Sequence, residues 1–335
     1  MRLWDERGRL LTKYSVPGDL REAALVGNQG RVATLSRDDT VSIWDLSGRL
    51  LKTFRGHSGR INAIRVSPDA ETLLTASEDT TAKLWPLADE LAPECKTELS
   101  DVASVRFAPN GGDLLLIVTS DRRVSLRRPG KLPMDSELAE EREVRDALFS
   151  PDSRRVVTLG GNRNDLGLWD SEGRLLLRCC THEAPLTSVA FSPDGRHLLT
   201  TSADGAVKVW TAEGAAVASL VEKTDRLVGG QFSPDSSRIL TFGSDSGARL
   251  WAYRKSLVST TLSPEHEVTS AQFSPQGDRL ILMSTLDGVS LWDREGRHLV
   301  SEMEEDRSGI YSACWVAQGD AIVTTHPGGE VKVWS

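Results

Sequence analysis

Cysteine, histidine and aromatic residues are scarce in this chain. It has 335 residues but only 4 cysteines and 6 histidines, and aromatic residues make up 6% of it. None of the cysteines lies in a Cys-x-x-Cys pair, and adjacent cysteines such as Cys179 and Cys180 rarely bridge without strain. The sequence therefore predicts neither a disulfide framework nor a zinc site, and free thiols favour the cytoplasm as its compartment.

The sequence also lacks long apolar runs and an excess of positive charge. Its apolar stretches have the length of strands, far short of the roughly 20 residues that span a bilayer. The net charge is −8 at pH 7, without any basic run or aromatic–basic cluster. A glycine-rich phosphate loop, a metal-ligand spacing and a histidine cluster are missing as well. We therefore predict no membrane or nucleic-acid partner, no cofactor, no metal and no catalytic residue.

What the chain does have is a ladder of tryptophans. Eight of the 9 tryptophans follow one another at steps of 40 to 42 residues, with one double step of 84. Arg127 occupies the position that the double step skips. A fixed period of this length indicates one structural unit copied many times, and it favours binding over chemistry as the function. The ladder consists of Trp4, Trp44, Trp85, Trp169, Trp210, Trp251, Trp292 and Trp334.

The repeat around Trp210 is the most regular copy. Its alternating apolar and polar residues predict four short strands joined by turns, a four-stranded antiparallel meander. The first turn reads Ser192-Pro193-Asp194-Gly195, and Ser-Pro-Asp recurs at the same place in other repeats. The predicted strands are Leu186–Phe191, His197–Ser202, Ala206–Trp210 and Ala215–Leu220.

These motifs resemble those of the WD-repeat β-propeller family over nearly the whole chain. The residues that carry the resemblance are Gly56-His57 and four copies of the family's Trp-Asp motif, at Leu3-Trp4-Asp5, Ile43-Trp44-Asp45, Leu168-Trp169-Asp170 and Leu291-Trp292-Asp293. The resemblance implies an all-β ring of four-stranded antiparallel sheets, or blades, around a central channel. Because one small sheet cannot bury both of its faces, each blade needs its neighbours.

The resemblance also implies a hydrogen-bonded chain of histidine, hydroxyl, aspartate and tryptophan inside a blade. One matching set is His57, Ser77, Asp79 and Trp85, and the other is His182, Ser202, Asp204 and Trp210. A serine, a histidine and an aspartate together can also indicate a nucleophilic triad. We favour the structural interpretation, because the set occurs twice and ends on a tryptophan. Since other repeats lack members of the set, we expect stability to be uneven around the ring.

Eight full intervals lie between Trp4 and Trp334, so we predict eight blades in a single domain covering 1–335. The ring is expected to close through 9–14, the outer strand beside 330–334. Closure of this kind removes two free sheet edges. The fragment Met1–Asp5 is then redundant, which leads us to expect that the sequence is part of a longer protein.

The loops leading into each first strand, and those joining second to third strands, are where partners of this family commonly dock. Counting from the repeating apolar residue that ends each first strand, we identify ten charged candidates for partner binding. We expect a basic protein or peptide segment to bind over the acidic arc Asp101, Glu141, Glu143 and Glu183, although an acidic chain carries acidic loops everywhere. The candidates are Asp19, Arg60, Asp101, Glu141, Glu143, Glu183, Arg226, Glu265, Glu267 and Arg307.

Two segments depart from the pattern. Residues 86–100 and 128–146 carry charge and proline instead of a clean fourth strand, as solvated edge loops or as an irregular rim for a partner.

For the function, the leading expectation is a non-catalytic interaction or sensor module of a bacterial signalling protein with a covalently linked effector domain. A scaffold subunit of a multiprotein complex is the alternative, and an enzyme is disfavoured because the chain lacks the motifs of one.

Overall fold

A computed structural model describes most of the chain. The described residues are 2–4, 10–13, 20–26, 31–87, 97–99, 102–111, 114–119, 121–128, 136–138, 143–160, 164–179, 182–221, 227–243, 247–252, 258–262, 267–284, 288–300, 310, 312–315, 319, 321–325 and 331–334.

Within these residues the protein is all-β, and seven sheets have four antiparallel strands paired in chain order. The first three are β3–β6 (Leu20–Val26, Arg31–Ser36, Val41–Asp45, Leu50–Phe54), β7–β10 (Ile61–Val66, Thr72–Ser77, Ala82–Pro86, Thr97–Leu99) and β11–β14 (Val102–Phe107, Leu115–Thr119, Val124–Arg127, Ser136–Glu137). The next two are β15–β18 (Val144–Phe149, Arg155–Gly160, Leu166–Asp170, Leu175–Cys179) and β19–β22 (Leu186–Phe191, His197–Ser202, Ala206–Thr211, Ala216–Val221). The last two are β23–β26 (Leu227–Phe232, Ile239–Gly243, Gly247–Ala252, Val258–Leu262) and β27–β30 (Val268–Phe273, Arg279–Ser284, Gly288–Asp293, His298–Val300). The four-stranded meander predicted around Trp210 is confirmed.

The two ends of the chain form smaller sheets. β31–β33 (Ser312–Trp315, Ile322–Thr325, Val331–Trp334) form a three-stranded sheet, and β1 (Arg2–Trp4) pairs with β2 (Leu10–Lys13). The β1–β2 register shifts at Trp4, as the third-to-fourth strand register does at Trp44 and Trp292. Arg2–Trp4 is thus the tail of a third strand, and it gives Leu10–Lys13 a different partner from the expected 330–334. The eight-blade count and the closure of the ring are not confirmed.

The irregular segments do contain short fourth strands. Thr97–Leu99 pairs with β9 over three residues, and Ser136–Glu137 pairs with β13 over two. The remaining residues between them and the flanking strands lie mostly outside the described residues. Each of these two sheets therefore does have a fourth strand, but that strand is only two or three residues long.

The apolar cores lie between consecutive sheets. One core joins Phe54 of β6 to Ile64 of β7 and Trp85 of β9, and another joins Leu126 of β13 to Trp169 of β17. Second strands are buried along nearly their whole length, with Leu73, Leu74 and Thr75 among the least exposed residues. In these cores one sheet covers the face of its neighbour, which is the physical reason for the repeated pattern.

Fourth strands are the exposed side of the sheets. Their first residues are apolar and about half exposed, at Leu50 and Leu51 in β6 and at Leu175 and Leu176 in β18.

First strands carry a register shift near their start, as between Leu20 and Glu22 or between Ile61 and Ala63. A β-bulge of this kind redirects one side chain at the end of the strand where the lead-in loop arrives.

The chain divides into two compact units. Met1–Gly161 and Leu168–Leu176 form the first, and Asn162–Gly167 and Leu177–Ser335 form the second. The sheets from β1 to β14 belong to the first unit, and those from β19 to β33 belong to the second. The single domain over 1–335 stays a prediction.

Candidate functional site

Hydrogen bonds connect three elements of the β7–β10 sheet through His57. The ring Nδ1 lies 2.9 Å from Oδ2 of Asp79, and Nε2 lies 2.7 Å from Oγ1 of Thr75. Trp85 Nε1 donates to the same Thr75 oxygen at 2.9 Å. With an ionised Asp79 and a neutral ring, Nδ1–H donates to the carboxylate and Nε2 accepts the Thr75 proton. The lead-in loop, the second strand and the third strand are thereby tied together.

The hydroxyl that links His57 to Trp85 belongs to Thr75, and not to the expected Ser77. Thr75 lies opposite Lys83 in the strand register, so the indole of Trp85 reaches it diagonally across the ladder. Ser77 points to the same face but lies two residues farther from Trp85, roughly 6.6 Å along the strand. It instead accepts a hydrogen bond from the Asp79 amide at 3.2 Å, which shapes the turn.

Asp79 is held in its ionised form. Burial opposes ionisation, but hydrogen bonds from the Thr81 hydroxyl, the Ser58 amide and His57 outweigh it and lower the pKa of the Asp79 carboxyl. The Ser58 amide donates to Oδ2 at 2.9 Å, and the Thr81 hydroxyl donates to Oδ1 at 2.7 Å. The carboxylate therefore fastens the lead-in loop to the turn between β8 and β9.

The set around Trp210 is built differently. His182 Nε2 lies 2.7 Å from Thr200 Oγ1, which accepts from Trp210 Nε1 at 2.9 Å. Among the described residues Nδ1 of His182 has no hydrogen-bond partner. Burial, together with Lys208 and against Asp204, lowers the pKa of His182 to about 4. This ring is therefore neutral in the folded protein near neutral pH.

Ser202, the expected hydroxyl of this second set, also lies outside the path to the tryptophan. Its Oγ donates to the carbonyl oxygen of Ala184 at 3.0 Å, in the lead-in loop. The position two residues earlier, Thr200, again provides the link. The reason is the same diagonal reach, since Leu198 is the residue opposite Trp210.

Neither set has the access that nucleophilic catalysis requires. The serines of the two sets, Ser77 and Ser202, are 3% and 0% exposed. Thr75 and Thr200 are 0% exposed, and each of their hydroxyl oxygens already accepts from a tryptophan. A substrate carbonyl cannot approach such an oxygen, so the arrangement can position strands but cannot attack a bound molecule.

The tryptophan–hydroxyl bond recurs beyond the two sets. Thr34, Thr158, Thr241 and Thr324 accept from the indole of their own repeat at 2.8 to 2.9 Å. The sequence signal that could have found them is a threonine 10 or 11 residues before the tryptophan. In the repeat of Trp292 that position is Leu282, and the indole donates to Ser290 instead.

Four of the ten partner-binding candidates fall within the described residues. Arg60, Glu143, Glu183 and Glu267 are exposed, and each precedes a first strand or lies in its lead-in loop. Glu143 pairs with Arg122 Nη1 at 3.0 Å, so part of the charge of the expected acidic arc is compensated. The other six lie outside the described residues: Asp19, Asp101, Glu141, Arg226, Glu265 and Arg307.

Arg60 lines an open cleft of about 710 Å³ together with Arg21, Arg37 and Asp39. Arg21 lies at the bulge of β3, Arg37 and Asp39 lie in the β4–β5 turn, and Arg60 precedes β7. Arg21 Nη1 donates to the Ile61 carbonyl at 2.8 Å and lies 3.3 Å from Asp39 Oδ1. Only Arg60 is predicted from the sequence, because the cleft joins loops of two repeats.

The described residues contain no cluster of three or more histidine, cysteine, aspartate or glutamate side chains able to hold a metal ion. A helix capable of crossing a membrane is likewise absent from this part of the chain.

Comparison with known proteins places these repeats in a family. The model described as "WD domain, G-beta repeat" matches residues 48–86 and 173–211, which contain the networks of His57 and His182. The C-terminal WD40 domain of Sif2 has a similar structure, with a TM-score of 0.70 and 15% identity, over 95% of this chain and 99% of that one. Residues 48–86 and 173–211 are therefore WD40 repeats, and the chain has the fold of a WD40 domain.

Two relatives each match somewhat more than half of this chain. A nuclear distribution protein PAC1 of Coccidioides posadasii is 42% identical over 196 residues, 58% of this chain and 37% of that protein. An uncharacterized WD repeat-containing protein of Synechocystis is 24% identical over 187 residues, 55% of this chain and 51% of that protein. The matches thus span about half or less of these relatives. Folds of this class are generally non-catalytic modules for protein interaction, and no enzymatic family is indicated.

Proposed function

We propose that this chain is a non-catalytic module that binds a protein or peptide partner on the loop face, the end of the sheets formed by the lead-in loops and the second-to-third strand turns. The observation that supports it is that rigid sheets hold charged, exposed residues at this end, including Arg60, Glu143, Glu183 and Glu267. Function is commonly carried by loops on a rigid scaffold. The acidic arc of Asp101, Glu141, Glu143 and Glu183 remains our proposal for a basic segment of the partner.

A set of variants at the two ends of the sheets tests this proposal. Glu183→Lys with Glu267→Lys changes the loop face, and Glu172→Lys changes an exposed residue in a third-to-fourth strand turn at the opposite end. Proteins captured by each variant from the native lysate are quantified against the unaltered chain. We expect at least one captured protein to be lost with the loop-face variant and kept with Glu172→Lys. If no captured protein distinguishes the two ends, the proposal is wrong.

We further propose eight blades and a ring that closes through 9–14 beside 330–334. The tryptophan ladder, which spans eight periods when the double step is counted twice, supports the count. The β31–β33 sheet, which has three strands within the described part of the chain, supports the closure. Deleting residues 1–5 should then leave the melting temperature unchanged within about 2 °C, while deleting 1–14 should lower it by about 4 °C or more. Equal effects of the two deletions would contradict this closure.

The cellular setting that we propose is the cytoplasm, within a longer bacterial signalling protein that carries a linked effector domain. The Synechocystis relative supports a bacterial setting, and the low cysteine content supports the compartment. The PAC1 relatives favour the alternative, a scaffold subunit of a multiprotein complex. An effector domain encoded next to this sequence would favour the bacterial signalling protein over the scaffold subunit.

A further inference from the structure

The turn between β11 and β12 differs from its counterparts in other repeats. It reads Ala108-Pro109-Asn110-Gly111, whereas the same turn of four other sheets begins Ser-Pro-Asp. In those four serine turns the hydroxyl donates to the aspartate at 2.5 to 2.6 Å and accepts from the amide five residues later at 2.9 Å. Ala108 has no hydroxyl, so its turn lacks both of these hydrogen bonds. The four serines are Ser67, Ser150, Ser192 and Ser233.

The backbone hydrogen bond that closes this turn is also longer. The Gly111 N–H donates to the Ala108 carbonyl at 3.4 Å, whereas the equivalent distance is 2.8 Å in all four serine turns. Backbone N–H···O bonds usually measure about 2.9–3.0 Å, so the bond of Gly111 is weak. The Gly111 nitrogen is therefore held less firmly than the same nitrogen in the serine turns.

The junction of Asn110 and Gly111 is uncrowded. Asn110 is exposed, and its own N–H donates to Ser153 Oγ at 3.1 Å. The N–H of Asp194 makes the same contact with Ser236. A Cβ at Gly111 would meet no atom of the described residues within 4 Å. Asn110 thus enters the turn like its aspartate counterparts, but nothing in the described part of the chain crowds the residue that follows it.

We propose that Asn110 is a site of spontaneous deamidation. The Gly111 nitrogen forms a bond to Cγ of Asn110, and the side-chain Cγ–Nδ2 bond breaks. Nδ2 leaves as ammonia together with the proton of the Gly111 N–H, which gives a five-membered succinimide ring. Glycine favours this step, because it has no side chain to obstruct the ring and its backbone is the most permissive.

Solvent water then opens the ring in two ways, with different results for the turn. Attack at Cγ breaks the Cγ–N bond and gives aspartate, the residue that the serine turns have at this position. Attack at the main-chain carbonyl carbon gives isoaspartate, which adds one methylene group to the main chain between β11 and β12. Either product adds one negative charge at the end of the sheet opposite the loop face, so the inference does not depend on the proposed function.

Peptide mapping of the folded full chain tests the proposal. After incubation in mildly alkaline buffer, trypsin releases the peptide 107–122, which contains a single asparagine and no glutamine. We expect it to gain about 1 Da and to separate into two products of equal mass, one of which co-elutes with the peptide of an Asn110→Asp variant. The peptides 61–65 and 164–174, with Asn62 and Asn164, serve as internal references and should deamidate at least tenfold more slowly. Equal rates in the three peptides, or no mass gain in 107–122, overturn the inference.

Matched variants connect the rate to the turn. Ala108→Ser supplies the hydroxyl of the serine turns at a position where the four serines are also buried, and it should slow deamidation at least threefold. Ala103→Ser adds a hydroxyl to an exposed position near the start of β11 and should change the rate less than twofold. Asn110→Gln should abolish the mass gain, because a glutamine would have to close a larger ring. A sample digested without incubation corrects for deamidation during the digest. Equal rates in Ala108→Ser and the unaltered chain, or a mass gain in Asn110→Gln, overturn the inference.

Discussion

At the scale of single residues, one threonine hydroxyl holds each network together. Thr75 satisfies two buried groups, the indole N–H of Trp85 and the Nε2 acceptor of His57. Thr34 accepts from the indole of Trp44 and donates to the Ser42 carbonyl at a longer 3.4 Å. A buried polar group that loses its partner costs about 1–3 kcal/mol. Because of the histidine, the hydroxyl of Thr75 contributes more to stability than that of Thr34.

Replacing these residues by valine measures the difference. We expect Thr75→Val to lower the free energy of unfolding by about 2–4 kcal/mol and Thr34→Val by about 1–2 kcal/mol. Ser77→Ala should cost less than Thr75→Val, because Ser77 does not bridge the histidine and the tryptophan. Urea unfolding of the three variants gives the order. A larger loss of unfolding free energy for Ser77→Ala than for Thr75→Val would show that Ser77 is the bridging hydroxyl.

His182 predicts a pH dependence of stability. Its pKa falls from 6.5 to about 4 on folding, so the unfolded state binds the proton more tightly between these values. The stabilisation is complete above pH 6.5 and is lost as the pH falls towards 4, by roughly 3 kcal/mol. In His182→Gln this part of the pH dependence should vanish, while His298→Gln should keep it. Unfolding in urea at several pH values from 4 to 7.5 provides the comparison.

The sequence predicted the network only in part. Histidine, aspartate and tryptophan were identified by resemblance, and the His57–Asp79 contact has the expected geometry. The bridging threonine was missed because serine at the strand end matched the family pattern, while the diagonal reach of an indole follows from strand register. That Nδ1 of His182 has no partner within the described part of the chain also depends on side-chain placement that no spacing in the sequence encodes.

At the scale of elements, the repeat of Arg127 lacks both partners of the tryptophan–threonine hydrogen bond. Arg127 lies opposite Leu115, as Trp85 lies opposite Leu73, and Ile117 takes the place of Thr75. The donor and the acceptor are thus both missing from the β11–β14 sheet. The two substitutions fit each other, since either partner alone would leave a buried polar group unsatisfied.

A double-mutant cycle tests this dependence. Arg127→Trp or Ile117→Thr alone should destabilise the protein, and the double variant should be more stable than the two single losses predict, by about 1 kcal/mol or more. The free energies of unfolding of the four proteins give the coupling. A coupling near zero would show that the indole and the hydroxyl do not meet in this sheet.

The turns between third and fourth strands depend on glycine where a neighbouring strand packs against them. Gly214 has φ +86°, and a Cβ there would lie 3.0 Å from Cys179 Sγ and 3.0 Å from Leu177 Cδ1. Gly111, in the first-to-second strand turn of the β11–β14 sheet, has φ +78°, but a Cβ there would meet no atom of the described residues within 4 Å. The two positions therefore separate the cost of the backbone conformation from the cost of the contact.

Alanine substitution should show this difference in stability. Gly111→Ala bears only the cost of a left-handed backbone, about 1 kcal/mol. Gly214→Ala adds a clash with the preceding repeat and should cost about 1–3 kcal/mol more. Thermal unfolding compares the two variants. Similar losses would mean that the β18 strand moves aside without cost.

At the scale of the whole molecule, the networks predict uneven protection of the backbone. The β7–β10 sheet has the full chain from Asp79 to Trp85, whereas in the β27–β30 sheet Leu282 replaces the bridging threonine. Local opening is easier where fewer interactions hold an element. We expect amides of Thr72–Ser77 to exchange more slowly than those of Arg279–Ser284. Hydrogen exchange followed by mass spectrometry resolves both segments, and the opposite order would contradict the prediction.

The fold class was predictable because the period is carried by many residues, whereas the basic cleft was not. Its arginines follow one another at steps of 16 and 23 residues in the sequence, and the bulge at Arg21 and the β4–β5 turn bring them to one place. The ten candidates came from register alone, which locates a position at the end of a strand but not the direction of its side chain. For this reason Arg60 was identified without Arg21 and Arg37.

The bond from tryptophan to threonine has a consequence for how such a gene can change. Donor and acceptor are 10 or 11 residues apart and lie within one repeat, so unequal recombination that adds or removes a whole period leaves every such pair intact. Some contacts between repeats, such as that of Gln231 Nε2 with the Ala271 carbonyl, use a backbone group that any copy supplies, whereas others, such as Arg65 with Glu22, join two side chains. Repeat number can therefore drift by duplication or loss without disrupting the interior of a single unit.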